Sequence, residues 1–454
     1  KAGKTRPSDP IDFTKKVSSY IVYKFNDNIS KKELSLLLKC NIEDLNEKTN
    51  FFNLVFKWLS KSTEENKDDK IEKFLNNMDN FDLNDYIKAI KFDELKIPFV
   101  PFYHIKNKDY YGLEEMKKGE LDFFKAVVLS KNKEDVFMCS DMPMENIAKD
   151  VDFGKKWMFA IALCLKKGLH LNVIHNLDRP FNEMMLGLES WIPIYMTGQV
   201  SPFYFKEIKN TVYNHLNYVG GPVFLTGECI EGYHSKGKYR LSNSNDELKY
   251  FKEKASWLLR KATPLMDIYR ENDKERFYQF INEESKKEGE RNRVLSSLPL
   301  FTITDKLLTK ILKRENISEQ EIEKILKYKN TELEMTKEIL KSNKINDTIY
   351  EVKSKNFDEQ NIYLSLENTF CSKKIKYHYK EYLEHLNSTL DFKKKNRNYN
   401  VILSNVKTFN NITITSFNDD YVIISKNANP VIHFVIRHPK LVTAIKNFIP
   451  LVKE

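Results

Sequence analysis

GLHLNVIHNLDRPFNEMMLGLESWIPIYMTGQVSPFYFK, residues 168–206, is the stretch that decides how the chain folds. Leu169, Leu171, Val173 and Ile174 form a short apolar run directly after Lys166-Lys167-Gly168. A run of that kind behind a helix-stop signal predicts a buried strand entered from a helix C-terminus. Polar His175, Asn176, Asp178 and Arg179 end the strand, and Pro180 suits the first turn of a helix because its φ is already set near the helical value. Phe181, Met184, Met185 and Leu188 then recur at helical spacing, which places a helix over a core before Trp191. From Ile192 to Phe205, Pro193, Gly198 and Pro202 alternate with Tyr195, Phe203 and Tyr204, predicting a bent, aromatic-lined strand or loop.

Outward from this stretch the same grammar repeats. Upstream, the spacing predicts a helix over Leu113–Leu129, a strand over Val136–Ser140 and a helix over Phe153–Lys167, an order that signals an α/β sheet with a parallel portion. Downstream come an amphipathic segment to about Tyr218, the Gly220-Gly221-Pro222 turn, strands Val223–Thr226 and Tyr239–Leu241, and a helix from Asp246 toward Ile268. Residues 271–350 are highly charged and carry Leu307, Leu308, Ile311 and Leu312, then Ile322, Ile325 and Leu326, at helical spacing. They predict a helical insert. Strands return at Val401–Leu403, Ile412–Thr415, Tyr421–Ile424 and Val431–Ile436, before a helix opened by Pro439. The two α/β parts close alike, with a strand pair feeding an amphipathic helix, which suggests a duplicated half-domain.

Near the start, residues 17–60 predict short amphipathic helices. Ser30 with Glu33 has capping-box spacing, and ISKKELSLLLKCNIEDL fits either the first two helices of a helix-turn-helix or any small bundle. No recognition helix rich in Arg, Asn or Gln follows. Phe51, Phe52, Phe56 and Trp58 crowd one segment, pointing to self-association or to docking on the α/β domain. The expected architecture is α/β (α+β): an N-terminal helical bundle and linker over 1–95, a first α/β half over 96–270, a helical insert over 271–350 and a second α/β half over 351–454.

Composition bounds the function classes. With 454 residues, 41% hydrophobic and 30% charged, the chain is folded and is expected to hold roughly two to four domains. Apolar runs such as Trp157–Leu165 fall well short of the roughly 20 residues of a membrane span. Five cysteines without CxxC or zinc-ligand spacing argue against a disulfide scaffold and for a cytoplasmic location. The opening KAGKTRPSDP has no apolar core of a secretory signal, and its start at Lys1 is what a fragment or an added leader would show. A net charge of +10 permits nucleic-acid binding without requiring it.

Ligands of open α/β sheets collect beyond the carboxyl ends of strands. Ser140, Asp141, His175, Asp178 and Arg179 are expected at such ends, with Trp191 and Tyr195 as aromatic walls, forming a site for a small molecule or peptide. The competing structural reading has Asp178 capping a helix, Arg179 paired with a carboxylate and His175 making one hydrogen bond. His234-Ser235-Lys236, an H-x-K beside a strand of the first α/β part, resembles the motif that phospholipase D-type phosphodiesterases carry in each of two similar halves. Here Leu241 stands where the following aspartate belongs, and in the second part His433 lacks the spacing, so the resemblance implies a degenerate, non-catalytic domain of that shape. A phosphodiesterase or nuclease-like enzyme using His175, His234 and Lys236 is the rival reading, and a scaffold without a ligand is a third. No P-loop, GxSxG or GxGxxG is present, and no cofactor or metal is expected.

YYGLEEMKKGELDFF, FMCSDMPMENIAKD, the run from Lys155 to Phe205, and the closing YHYKEYLEHLNSTL and NPVIHFVIRHPKLVTAIKNF together resemble the large C-terminal region of bacterial helix-turn-helix regulators of the Xre type. The resemblance covers roughly 100–454. It implies a signal-sensing, oligomerising region of a cytoplasmic transcription regulator, homodimeric, non-enzymatic, and joined to DNA through a helix-turn-helix domain that these residues do not contain in full.

Overall fold

The computed structural model describes residues 10–38, 42–46, 51–52, 54–56, 70–89, 107–141, 150–179, 181–206, 212–230, 233, 236–352, 357, 362–371, 373–404, 409–427 and 429–448. Two compact units divide the chain, Lys1–Lys73 and Phe74–Glu454. The boundary therefore falls earlier than the expected one at 95.

In the first unit, helices Pro10–Lys24 and Asn28–Leu38 and the 3-10 turn Ile42–Leu45 enclose Val22, Leu45, Phe51 and Val55. Asp27, rather than Ser30, opens the second helix, its Oδ1 accepting from the Ser30 N–H at 2.9 Å. Phe51 is 0% exposed, which corrects its expected place on a self-association surface. So small a bundle uses its largest ring to fill its own centre. Phe52 and Phe56 stack on each other at 5.9 Å, and Trp58 lies outside the described residues.

The second unit is an α/β fold of two halves. The first contains β1 (Lys108–Tyr111), α1 (Gly112–Leu129), β2 (Val136–Ser140), α2 (Val151–Lys166), β3 (Leu171–His175), α3 (Phe181–Tyr195), β4 (Val200–Tyr204), β5 (Val212–Gly220), β6 (Val223–Ile230), β7 (Lys238–Ser242) and α4 (Asn245–Lys261). After the short β8 (Thr263–Pro264), the second half contains β9 (Met266–Tyr269), α5 (Lys274–Ser285), β10 (Arg291–Leu295), α6 (Asp305–Arg314), α7 (Glu319–Ser342), β11 (Ile345–Tyr350), α8 (Tyr379–Lys395), β12 (Tyr399–Ser404), β13 (Ile412–Phe417), β14 (Tyr421–Lys426), β15 (Ile432–Ile436) and α9 (Pro439–Phe448).

The sheet orders are β1-β7-β6-β5-β2-β3-β4-β8 and, from the same end, β9-β15-β14-β13-β10-β11-β12. In each, three parallel strands adjoin an antiparallel meander and an edge strand, so the halves share one topology. This is the duplication suggested by their similar endings. It also corrects the expected insert: β10 and β11 are interior strands of the second sheet, so residues 271–350 belong to the second half. That half begins at β9, not at residue 351.

Three smaller corrections follow from packing. Helix α3 continues through Pro193, because Trp191, Ile192, Ile194 and Tyr195 are all buried and outweigh one missing backbone donor in the last turn. The expected amphipathic segment before Tyr218 contains β5, whose described inner residues pair with β2 and β6. Helix α4 stops at Lys261, which places Ile268 in β9. Among the described residues, no helix is long and apolar enough to cross a membrane.

Strand alternation assigns the two faces of the first sheet. Phe137 and Ile174 pack toward α4 with Val219 and Phe224, while Met138, Ser140 and Val173 face α1, α2 and α3. On the meander, Gly227 lies opposite fully buried Tyr239, and a Cβ at Gly227 would sit 2.1 Å from the ring. Gly227→Ala is therefore expected to cost about 1–3 kcal/mol by displacing that ring, read as a lower urea midpoint at constant slope. An unchanged midpoint would show that the ring yields freely.

Candidate functional site

Parallel register sets Ser140, His175 and Tyr204 side by side at the carboxyl ends of β2, β3 and β4. Above Ser140 and His175, the helices α1, α2 and α3 leave a cavity of about 300 Å³. Its body is apolar, formed by Met138, Met158, Val173, Met184, Leu188 and the indoles of Trp157 and Trp191. Ser140, His175, Arg179, Glu120, Asp150 and Tyr218 supply its polar edge. A larger depression of about 560 Å³ between α1 and α2 is lined by Phe124, Phe159 and lysine stems. It lacks convergent polar groups that would orient a small ligand, so the strand-end cavity is the better candidate.

The histidine is held as a neutral base. Burial, assisted by the Arg179 charge, pushes His175 down to about 3. Its Nε2 lies 3.0 Å from the Tyr195 hydroxyl, and since burial holds the phenol well above its ordinary value, the hydroxyl donates and Nε2 accepts. Trp191 meets the imidazole edge-on at 5.2 Å and stacks with Tyr195 at 6.2 Å. Trp157 meets Trp191 edge-on at 5.5 Å, completing an aromatic wall from α2 to α3.

Arg179 stands just before α3, where its charge opposes the helix dipole. Glu183, one turn on, compensates by accepting from Nη1 at 2.9 Å. The Arg179 side chain is only 8% exposed, and Glu183 is its sole partner among the described residues. The remaining N–H groups of the fork are thus open to an acceptor on the cavity side.

The chain brings Ser140, His175, Arg179 and Trp191 together on the cavity wall. Tyr195 supports His175 from behind. Asp178 is exposed and outside the lining, which corrects its placement in the site. Asn176 Oδ1 makes the local turn instead, accepting from the Asp178 N–H at 3.1 Å. Asp141 also falls outside the lining, one residue past the strand and turned by its alternation.

Sequence reasoning missed Glu120, Asp150, Trp157 and Tyr218. Glu120 is 2% exposed and accepts from the Trp157 Nε1–H at 2.7 Å and, more weakly, from the Tyr218 hydroxyl at 3.5 Å. Burial raises it to about 7 against the pull of those two donors. The available signal was a glutamate on the same helical face as Met116, Phe123, Phe124 and Val127, where an amphipathic helix carries apolar residues. Asp150 caps α2 by accepting from the Phe153 N–H at 2.9 Å, and the Lys117 ammonium reaches it at 2.7 Å.

The elements of the enzyme reading are placed only in part. His175 is committed to Tyr195, Lys236 is exposed with its ammonium 5.9 Å over Tyr233, and His234 lies outside the described residues. Burial pushes the Cys139 and Cys164 thiols up to about 12, so neither is a thiolate at neutral pH.

No protein-family model matches the chain, and none of the curated proteins does. Among solved structures it is similar to TrmBL2, an archaeal chromatin protein, at 10% identity over 47% of this chain and 69% of that one, with a TM-score of 0.25. Polyphosphate kinase from Porphyromonas gingivalis aligns at 11% identity over 77% of this chain and 51% of its own, with a TM-score of 0.24. NucT from Helicobacter pylori aligns at 12% identity over 35% and 98%, also at 0.24. Likeness at this level assigns no family and no activity.

Proposed function

We propose that the strand-end cavity binds a small organic molecule with an apolar body and one anionic group, and that the chain senses this molecule as the effector region of a bacterial transcription regulator. The observation that carries the ligand class is Arg179: a buried guanidinium with one partner, at the polar edge of a cavity whose body is apolar and includes two indoles. A carboxylate reaching the open edge of the fork gains a charge-assisted pair, while the body of the ligand covers the indoles. In this reading the region self-associates, and DNA contact comes from an adjoining helix-turn-helix domain.

The test uses indole-3-acetate and 4-phenylbutyrate as probes. Binding is expected to raise the melting temperature and quench Trp157 and Trp191 fluorescence. Arg179→Ala is expected to abolish both effects while lowering the apo stability by about 1 kcal/mol or less, because partly exposed Glu183 can rehydrate. Equal stabilisation of the variant by either probe would overturn the assignment of the anion to Arg179. Light scattering that gives a monomer, with or without probe, would remove the self-associating regulator from the reading.

A further inference from the structure

We infer that the second half holds its own ligand site, a cavity of about 150 Å³ between the second sheet and helices α5 and α7, which takes a small aliphatic primary ammonium compound. This inference is independent of the strand-end cavity and of its proposed ligand.

The first ground is which groups on the wall lack partners. Glu332 Oε2, on a lining residue, is buried with no hydrogen-bond partner, whereas Glu284 on the same wall, 7% exposed, already takes the Lys287 ammonium on Oε1 at 2.8 Å. The other Glu332 oxygen has one long contact, from Asn368 Nδ2 at 3.4 Å. A buried carboxylate left this bare is costly unless something donates to it.

The cations on the same wall are already engaged. Arg293 donates Nε and Nη2 to the two oxygens of Asp347, each at 2.6 Å. Arg291 spends its guanidinium on the main-chain carbonyls of Glu284, Lys287 and Gly289, at 2.6, 3.1 and 3.2 Å. What the cavity lacks is therefore a donor carrying positive charge. Glu367, 4% exposed and fed by Ser365 and Thr413, adds a second acid near Glu332.

The remaining walls select the kind of donor. Tyr328, Phe277 and Tyr421 offer aromatic surface, which suits an ammonium and its first methylenes. Among the described residues no three His, Cys, Asp or Glu side chains are arranged to hold a metal ion. The volume equals about five waters at ~30 Å³ each, so the occupant is small. In keeping with unmet acidity, burial raises Glu332 to about 7, with Arg293 opposing and Glu367 adding to the shift.

The experiment compares n-butylammonium, n-butanol and n-butyrate on the full chain at pH 7.5, by thermal shift and isothermal titration calorimetry. Saturable binding is expected for n-butylammonium, with butanol and butyrate at least tenfold weaker. Glu332→Gln, which keeps the shape and removes the charge, is expected to weaken the amine at least tenfold without lowering the apo melting temperature. Glu338→Gln, on the exposed side of the same helix, should leave binding unchanged. Butanol binding as tightly as the amine, amine binding that survives Glu332→Gln, or no saturable binding of the amine would each overturn the site; the wild-type comparison decides even if the variant fails to fold.

Discussion

Arg293→Ala is expected to destabilise the second unit by about 3–5 kcal/mol, because it leaves a charge stranded in the middle of a sheet. Asp347 is 0% exposed, and after the change its remaining described partner is the Tyr399 hydroxyl at 2.6 Å. In the native fold, burial works against the Arg293 charge, yet Asp347 outweighs it and holds the guanidinium above its ordinary value. Parallel register places Arg293 directly opposite Asp347, and the equivalent positions of the first half are Met138 and Val173. Replacing both charges, as Arg293→Met with Asp347→Val, is thus expected to cost far less than Arg293→Ala alone. Urea unfolding at pH 7 reads both. A loss below about 1 kcal/mol for Arg293→Ala would show that water reaches Asp347 and that the pair is not a buried one.

Acid should unfold the protein early. Burial pushes His175, His385 and His433 down to about 3 and His438 to about 4, so all four stay neutral in the fold where the unfolded chain protonates near 6.5. Their contribution is complete above that value and is lost as the pH falls toward the folded values. Glu120 and Glu332, raised to about 7, act in the opposite sense, since between about 4.5 and 7 the folded state binds protons that the unfolded state has released. Four protons taken up on unfolding against two held by the fold leave a net of about two, or roughly 2.7 kcal/mol of stability lost per pH unit between 6.5 and 4.5. Raised Glu367 trims that slope. At His385 burial outweighs the bond that Nε2 donates to the Pro299 carbonyl at 3.2 Å, which alone would favour charge, and Nδ1 accepts from the Tyr377 hydroxyl at 2.8 Å. His385→Gln should remove about one proton from the slope. Chemical denaturation at half-unit pH steps measures it, and a flat profile from pH 7 to 5 would contradict the neutral histidines.

Much of the first half could be read from its residues. Val136–Ser140 and Leu171–His175 are short apolar runs with polar exits, and α1 and α2 keep helical spacing between them. The second half was harder for a physical reason. β10 reads Arg-Asn-Arg-Val-Leu, and its charges are tolerated inside a sheet only because Asp347 and three main-chain carbonyls meet them. Nothing local in residues 291–295 announces those partners. The site divides the same way. His175, Arg179 and Trp191 lie on one strand-turn-helix segment and reach the cavity together. Asp141 and Asp178 share their composition and lie within a few residues of the wall, yet neither lines it, which residue type alone does not decide. Glu120 and Tyr218 meet across a long stretch of chain, so their pairing became visible only with the tertiary fold.

The link between the halves has a consequence for the order in which the protein is made. Thr263 and Pro264 dock on β4, a strand already synthesised, whereas the adjoining β9 pairs Met266 with Ile436 and Tyr269 with His433. During translation the first sheet can close as soon as α4 and β8 leave the ribosome. The β9 edge then waits, unpaired, until β15 has been made. A delay of that kind makes closure of β9 on β15 a late, long-range step and leaves a sticky strand exposed in the nascent protein. On a crowded polysome, the β15 of a neighbouring chain presents the same partner, so exchange of the second half between two nascent copies is the misassembly this connection invites.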